Sequence, residues 1–303
     1  VTATPEQLAL TEAVGCRCHF EHPHGWRRRR DGGFEQRRYL VRPIPHPLAR
    51  RFIQERHYSR SWPAARLSFG LLDGTRPRWP EEQLVGVLVL GVPMHPRVLT
   101  RPFPRLEPYA ESLELSRLLV LDEVLDNAES FLVRRSFRLA ARAGVRGVVA
   151  HSDPHPRLRR TGEATHVVFP GHTGTTYQAS GMKCFGRTSA RSVVLLPDAT
   201  VLTDRAISKV RAGEPGGRGV ERRLLAFPGA WPRSHGEPGG RWLAAVLDAI
   251  GASVLRHGGN YRYACAIGPN RTRVVIDLTP CPYPKRHHGG LGAPAVIRGG
   301  HAV

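Results

Sequence analysis

A chain of 303 residues, 41% of them hydrophobic, is long enough to bury a full core. It holds no unbroken apolar run of membrane-spanning length, and its start lacks the basic head and apolar middle of a secretory leader, so a cytoplasmic protein with no membrane partner is expected. With 45 basic residues against 25 acidic ones the net charge is +20, which points to a polyanionic partner, and five cysteines, an odd number, argue against a disulfide framework.

The first 36 residues carry CRCHFEHPH, with Cys16, Cys18, His19, His22 and His24, and then the arginine run WRRRR. The ligand spacing is not that of a zinc module, so a solvated, disordered basic segment is expected at 1–36. YLVRPI is predicted as a short strand, and HPLARRFIQERHY as a helix with Leu48, Phe52, Ile53 and His57 at helical spacing. RLSFGLLDG and QLVGVLVLGVP read as an antiparallel hairpin whose second strand is buried on both faces. ESLELSRLLVLDE reads as a further strand.

AESFLVRRSFRLAARAG is the clearest helix. Arg134, Arg138 and Arg142 form a polar stripe, Val133, Phe137 and Ala140 face the other way, and Gly144 ends it. VRGVVAHSD follows as a strand, giving a strand–helix–strand crossover with two parallel strands. Catalytic groups in such sheets gather at the carboxyl ends of the strands, which here carry Asp126, Asn127, Ser130, Ser152 and Asp153. Next comes the neutral stretch GHTGTTYQASGMKCFG, read as a short helix presenting Tyr177, and then a strand through RSVVLLPD. From Ala199 onward glycine and proline become frequent. RWLAAVLDAIGA is the one clear helix there, and HGGNYRYACAIG and RTRVVIDLTPCPYPK read as two basic, aromatic strands. Cys184, Cys265 and Cys281 read as isolated packing residues. The expected division is a catalytic core at 37–200, a basic β-containing extension at 201–285 and a flexible tail at 286–303.

This order of elements resembles the acetyltransferase superfamily called GNAT, which implies an α/β fold with a mixed central sheet and helices on both faces. One feature departs from it. The turn before the crossover helix, DEVLDNAES, has no glycine to hold a coenzyme A pyrophosphate, and Asp126 and Glu129 would repel it, which counts against ordinary acyl-CoA binding. HYSRSWP at 57–63, LELSRL at 113–118, NAESFL at 127–132, HSD at 151–153, GHTGTTYQASG at 171–181 and HGGNYRYACAI with PYPK further on resemble the phage Mom family of DNA adenine-modifying enzymes.

That resemblance implies placement of a carbamoylmethyl (acetamido) group on N6 of adenine in DNA, protecting phage DNA from restriction. The adenine is flipped from the duplex or met single-stranded. It carries over Tyr58, Arg117, Ser130, Asp153 and Tyr177 as catalytic candidates, with Asp153 as proton acceptor for N6. Trp62, Asn127, His172, Arg262 and Arg271 are candidates for holding base or backbone. An iron bound through His57, Tyr58 and Asp153 stays open, as does an activated glycine-type donor. Two other classes stay open as well: a conventional GNAT acyltransferase acting on a protein or small amine, and a DNA-binding protein without catalysis.

Overall fold

The computed structural model describes residues 34–285 except 58, 60, 80–81, 125–126 and 162–163, together with 295–298. The Cys16–His24 cluster, Tyr58, Asp126 and most of the tail lie outside the described residues. In chain order the strands are β1 (Tyr39–Pro43), β2 (Ala65–Asp73), β3 (Leu84–Gly91), β4 (Ser112–Val120), β5 (Gly147–Ser152), β6 (Arg157–Thr161), β7 (Ala164–Phe169), β8 (Lys183–Arg187), β9 (Arg191–Leu195), β10 (Val201–Leu202), β11 (Ser253–His257), β12 (Tyr261–Ala266) and β13 (Ala295–Arg298). The α-helices are α1 (His46–Arg56), α2 (Arg97–Thr100), α3 (Ala128–Arg142), α4 (Thr175–Ala179), α5 (Asp204–Arg211), α6 (Gly217–Leu224) and α7 (Gly239–Ala249). Among the described residues no helix is long and apolar enough to cross a membrane.

The described residues divide into two compact units, and the first comprises those within 34–154, 172–188 and 260–285. It is built on a seven-stranded mixed sheet in the order β1-β2-β3-β4-β5-β12-β8. All eight residues of β3 are buried, as an apolar run covered on both faces requires. On one face α3 packs Leu132, Val133, Phe137 and Ala140 against Leu71, Leu113 and Val148. On the other, α1 packs Ala49, Phe52 and Ile53 against Leu72, Leu84 and Val87. The α/β class, the hairpin β2–β3 and the parallel β4–α3–β5 crossover all match the reading of the sequence. Gly144, at φ 93°, ends α3 in the left-handed conformation that glycine adopts without a Cβ clash.

The second unit comprises the described residues within 155–171, 189–259 and 295–298. It holds the sheet β10-β9-β11, a β6–β7 hairpin with β13 added in parallel, and helices α5 to α7. Trp242, fully buried, centres its helical core with Val210, Leu224, Leu243 and Val246, and its indole N–H donates to the Trp231 carbonyl at 3.0 Å. Thr203 caps α5 by accepting the Ala206 amide hydrogen.

Several expectations need correction. The sequence suggested one boundary near residue 200, but the chain passes back and forth between the units. β12, assigned from sequence to a separate extension, is an interior strand of the main sheet between β5 and β8. The segment RTRVVIDLTPCPYPK is not a strand. It begins with a 3-10 turn, Arg271–Arg273, and continues as coil that rests Val274, Ile276 and Leu278 on Leu99, Phe103 and Leu106. Its alternating apolar residues satisfy burial without a ladder, because the neighbouring edge strand β8 is only five residues long and meets it at Cys281 alone. α5, α6, β6, β7 and β8 were not foreseen, and Ala295–Arg298, expected in a flexible tail, forms a strand.

Candidate functional site

The site begins with a parting of two strands in the first unit. β4 pairs in parallel with β5 only from Ser112 to Leu115, opposite Gly147 to Ala150. Beyond that point β4 follows β3 as far as Val120, while His151 and Ser152 follow β12, opposite Arg262 and Tyr261. A bulge between Leu115 and Arg117 turns β4 away, as an extra residue in one strand of an antiparallel pair does. Gly91 makes room for it: a Cβ there would lie 2.8 Å from the Ser116 hydroxyl and 2.7 Å from the Ala64 carbonyl. The result is a slot in the sheet with Arg117 on one bank and Ser152–Asp153 on the other. At its closed end His151 Nδ1 meets Glu114 Oε1 at 2.9 Å.

Arg117 is held by the loop that follows α1. Its Nε donates to the Ser61 carbonyl at 3.1 Å, Nη2 to the Ser61 hydroxyl at 2.6 Å and Nη1 to the Ser116 carbonyl at 2.5 Å. His57 starts the same loop, buried, with Nδ1 accepting the Ser59 amide hydrogen at 3.1 Å. Burial first, then the charges of Arg117 and His172, push its pKa from an ordinary 6.5 down to about 3. The ring is therefore neutral at physiological pH. With Nδ1 accepting, its proton sits on Nε2 and the side chain offers a donor. Tyr58 lies outside the described residues, so of the suggested metal trio only His57 and Asp153 have described positions. The Ser59 contact and the positive Arg117 do not favour a metal cation at the His57 ring.

The stretch GHTGTTYQASG closes over the open end. The His172 amide donates to the Asp153 carbonyl at 2.7 Å, and the His172 ring stands edge-on to Tyr177 with centroids 6.2 Å apart. Tyr177 is buried and lies 5.5 Å from the Tyr263 ring of β12. The Tyr263 hydroxyl donates to the Thr173 carbonyl and accepts from Gln178 Nε2 at 3.0 Å. Burial raises its pKa well above the usual phenol value, so it remains a donor. Gly174 is needed here for two reasons: its φ is 82°, and a Cβ would stand 2.6 Å from the Tyr263 ring. The sequence suggested that this stretch is small so that a base can pass its backbone. At Gly174 the close neighbour is instead the aromatic ring of the protein's own β12.

The remaining candidates are spread more widely. Ser130, in the first turn of α3, donates its hydroxyl hydrogen to the Asn127 carbonyl at 3.0 Å, and Asn127 is exposed with a left-handed φ of 73°. Arg134 of the same helix donates to the Ala179 carbonyl at 2.6 Å, docking α4 beside the first half of α3. Trp62 packs edge-on to His46 at 6.2 Å, under the Arg50 guanidinium, against α1. Arg262 stands opposite His151 in β12, where burial and the charge of Arg101 lower its pKa. Arg271 is exposed on the 3-10 turn. Sequence reasoning placed Ser152 at the strand end but missed Glu114, His151 and Tyr263 as parts of this arrangement. Only the motifs LELSRL, HSD and HGGNYRYACAI signalled them.

The Mom protein family matches residues 38–223. Among solved structures the chain is similar to a tandem GNAT protein from the clavulanic acid biosynthesis pathway, with 10% identity, TM-score 0.38, and 76% of this chain and 99% of that one covered. It is also similar to Arabidopsis thaliana NAA60 in complex with a bisubstrate analogue, with 12% identity, TM-score 0.36 and the same coverage. A third is a Bacillus subtilis acetyltransferase in complex with CoA, with 10% identity, TM-score 0.29 and again 76% and 99% covered. No curated protein matches. The expectation that set acyl-CoA aside is withdrawn: two of the similar solved structures are themselves complexes with CoA. The missing glycine is a weaker sign than it seemed, because Asn127 makes the left-handed turn before α3 itself, a conformation asparagine tolerates. Asp126, part of the expected repulsion, lies outside the described residues.

Proposed function

The chain belongs to the Mom protein family, and from that premise we propose that it is a transferase placing a carbamoylmethyl group on N6 of adenine in DNA. The GNAT-like fold supports a group-transfer enzyme of the acyltransferase type, and the motifs shared with the family support the narrower reading. The observation that carries it is the slot where β4 and β5 part, with Arg117 on the β4 bank, Asp153 directly after the end of β5 and held there by the His172 amide, and the Tyr177–Tyr263 pair beside the last paired rung.

Adenine N6 is a poor nucleophile, because its lone pair is delocalised into the ring, and inside a duplex it is paired. The base must therefore leave the stack or be met single-stranded. In this reading N6 attacks the reactive carbon of the donor, the bond from that carbon to its leaving group breaks, and the N6 proton passes to Asp153. Arg117, fixed by Ser61, and the neutral His57, with its Nε2 proton, supply donors to the negative charge that grows on the transferred group or its leaving atom. Ser130 retains acceptor capacity, its hydrogen being committed to Asn127.

The test is mass spectrometry of nucleosides digested from the DNA of cells expressing the full chain. A deoxyadenosine heavier by one carbamoylmethyl substitution is expected. Asp153→Asn should lower its amount by about 10²- to 10⁴-fold, the scale of general-base assistance, with the fold intact by circular dichroism. An unchanged nucleoside profile from well-folded protein would sink the reading. If the nucleosides are unchanged and the same protein acylates amines from acetyl-CoA, the conventional acyltransferase replaces it.

A further inference from the structure

We propose that Cys184 and Cys281 form a reversible dithiol–disulfide site, a covalent modification site separate from the chemistry of the slot. Cys184 lies in β8, at the edge of the seven-stranded sheet, and Cys281 pairs with it as an isolated antiparallel bridge. The Cys281 amide donates to the Cys184 carbonyl at 2.9 Å, and the two sulfurs are 3.3 Å apart, with the Cys281 thiol donating. Residues directly opposite in an antiparallel pair hold their Cα atoms roughly 4.5–5.5 Å apart, within the range a disulfide spans. The bond therefore forms by side-chain rotation, with the backbone already in place.

The two thiols have different surroundings. Cys184 is buried, and desolvation together with the neighbouring thiol pushes its pKa up to about 11, so it stays protonated. Cys281 is half-buried, and its sulfur accepts the Gly186 amide hydrogen at 3.0 Å. Cys281 is thus the sulfur that a two-electron oxidant of the peroxide class reaches. Hydrogen peroxide transfers one oxygen to it, giving a sulfenic acid and one water. The Cys184 sulfur then displaces that hydroxyl, the S–S bond forms, and a second water carries off the Cys184 proton. Two thiols are oxidised, one peroxide is reduced, and a small dithiol reverses the step.

The bond fastens residues 281–283 along β8. Tyr283 already donates to the Met182 carbonyl at 3.0 Å, and the Met182 amide donates to the Tyr177 carbonyl at 3.0 Å. Oxidation therefore stiffens the strand that follows the Tyr177 helix. To test this, full-length protein is treated with stoichiometric hydrogen peroxide, quenched with N-ethylmaleimide and digested for peptide mapping. A crosslink joining the Cys184 and Cys281 peptides is expected, removed by dithiothreitol and absent in Cys281→Ser. Amide exchange at 182–186 and 281–283 should slow in the oxidised form. The proposal is overturned if both thiols remain alkylatable, if Cys281 stops at a sulfinic acid, or if either sulfur pairs elsewhere. Should Cys281→Ser fail to fold, the wild-type peptide map decides alone.

Discussion

Buried at the start of the loop after α1, His57 is kept neutral chiefly by lost hydration and secondarily by the charges of Arg117 and His172. Its folded pKa, about 3, lies below the unfolded value of 6.5, so between those values the unfolded chain binds the extra proton. Stability is therefore full above pH 6.5 and falls as pH drops toward 3, by at most about 1.4 kcal/mol per pH unit. His57→Asn keeps an acceptor for the Ser59 amide and removes the titration. Urea melts between pH 4 and 7 should show a shallower loss for the variant, and an unchanged slope would place the proton elsewhere. Gly174 makes a second residue-scale case. Gly174→Ala puts a methyl into the Tyr263 ring at an unfavourable positive φ, and should cost about 1–3 kcal/mol in a chemical melt. Gly181, also at positive φ but with open space around it, should tolerate alanine better.

At the scale of elements, β12 does more than its place in the sequence suggests. It fills the gap between β5 and β8, buries Tyr263 fully, and supplies the hydroxyl that ties Thr173 and Gln178 together. A chain ending at residue 200, where the sequence reading closed the core, leaves both β5 and β8 without that partner. Such a truncation should unfold without cooperativity and aggregate, since two open strand edges are exposed. A cooperative melt from residues 34–200 would show that β12 is dispensable. The bulge in β4 is the other decisive element, because it turns the bank carrying Arg117 away while the end of β5 stays with β12.

For the molecule as a whole, a net charge of +20 predicts strongly salt-dependent binding to DNA, whatever the chemistry at the slot. Arg271 and Arg273 are exposed on a turn. If both reach phosphates, Arg271→Gln with Arg273→Gln should flatten the slope of log Kobs against log salt by about 1–2 units. Preference among DNA sequences should stay the same, because phosphate contacts position and base contacts specify. A slope identical to wild type would remove this turn from the DNA-facing surface.

The sequence by itself determined the elements with strong periodicity: β3, apolar throughout; α3, with its arginine stripe and glycine stop; and the parallel crossover they frame. It also determined the charge and the motifs by which the family is recognised, because periodicity, composition and short spacings are local properties. Only the tertiary structure decided that YRYACA joins the main sheet and that two isolated-looking cysteines face each other across a strand edge. The same holds for Asn127 making the turn that seemed to need glycine, and for Gly174 yielding to an aromatic ring from 89 residues further along the chain. Strand partners, sulfur neighbours and glycine clashes are set by which segments meet in space. No window of the sequence holds both sides of such a meeting.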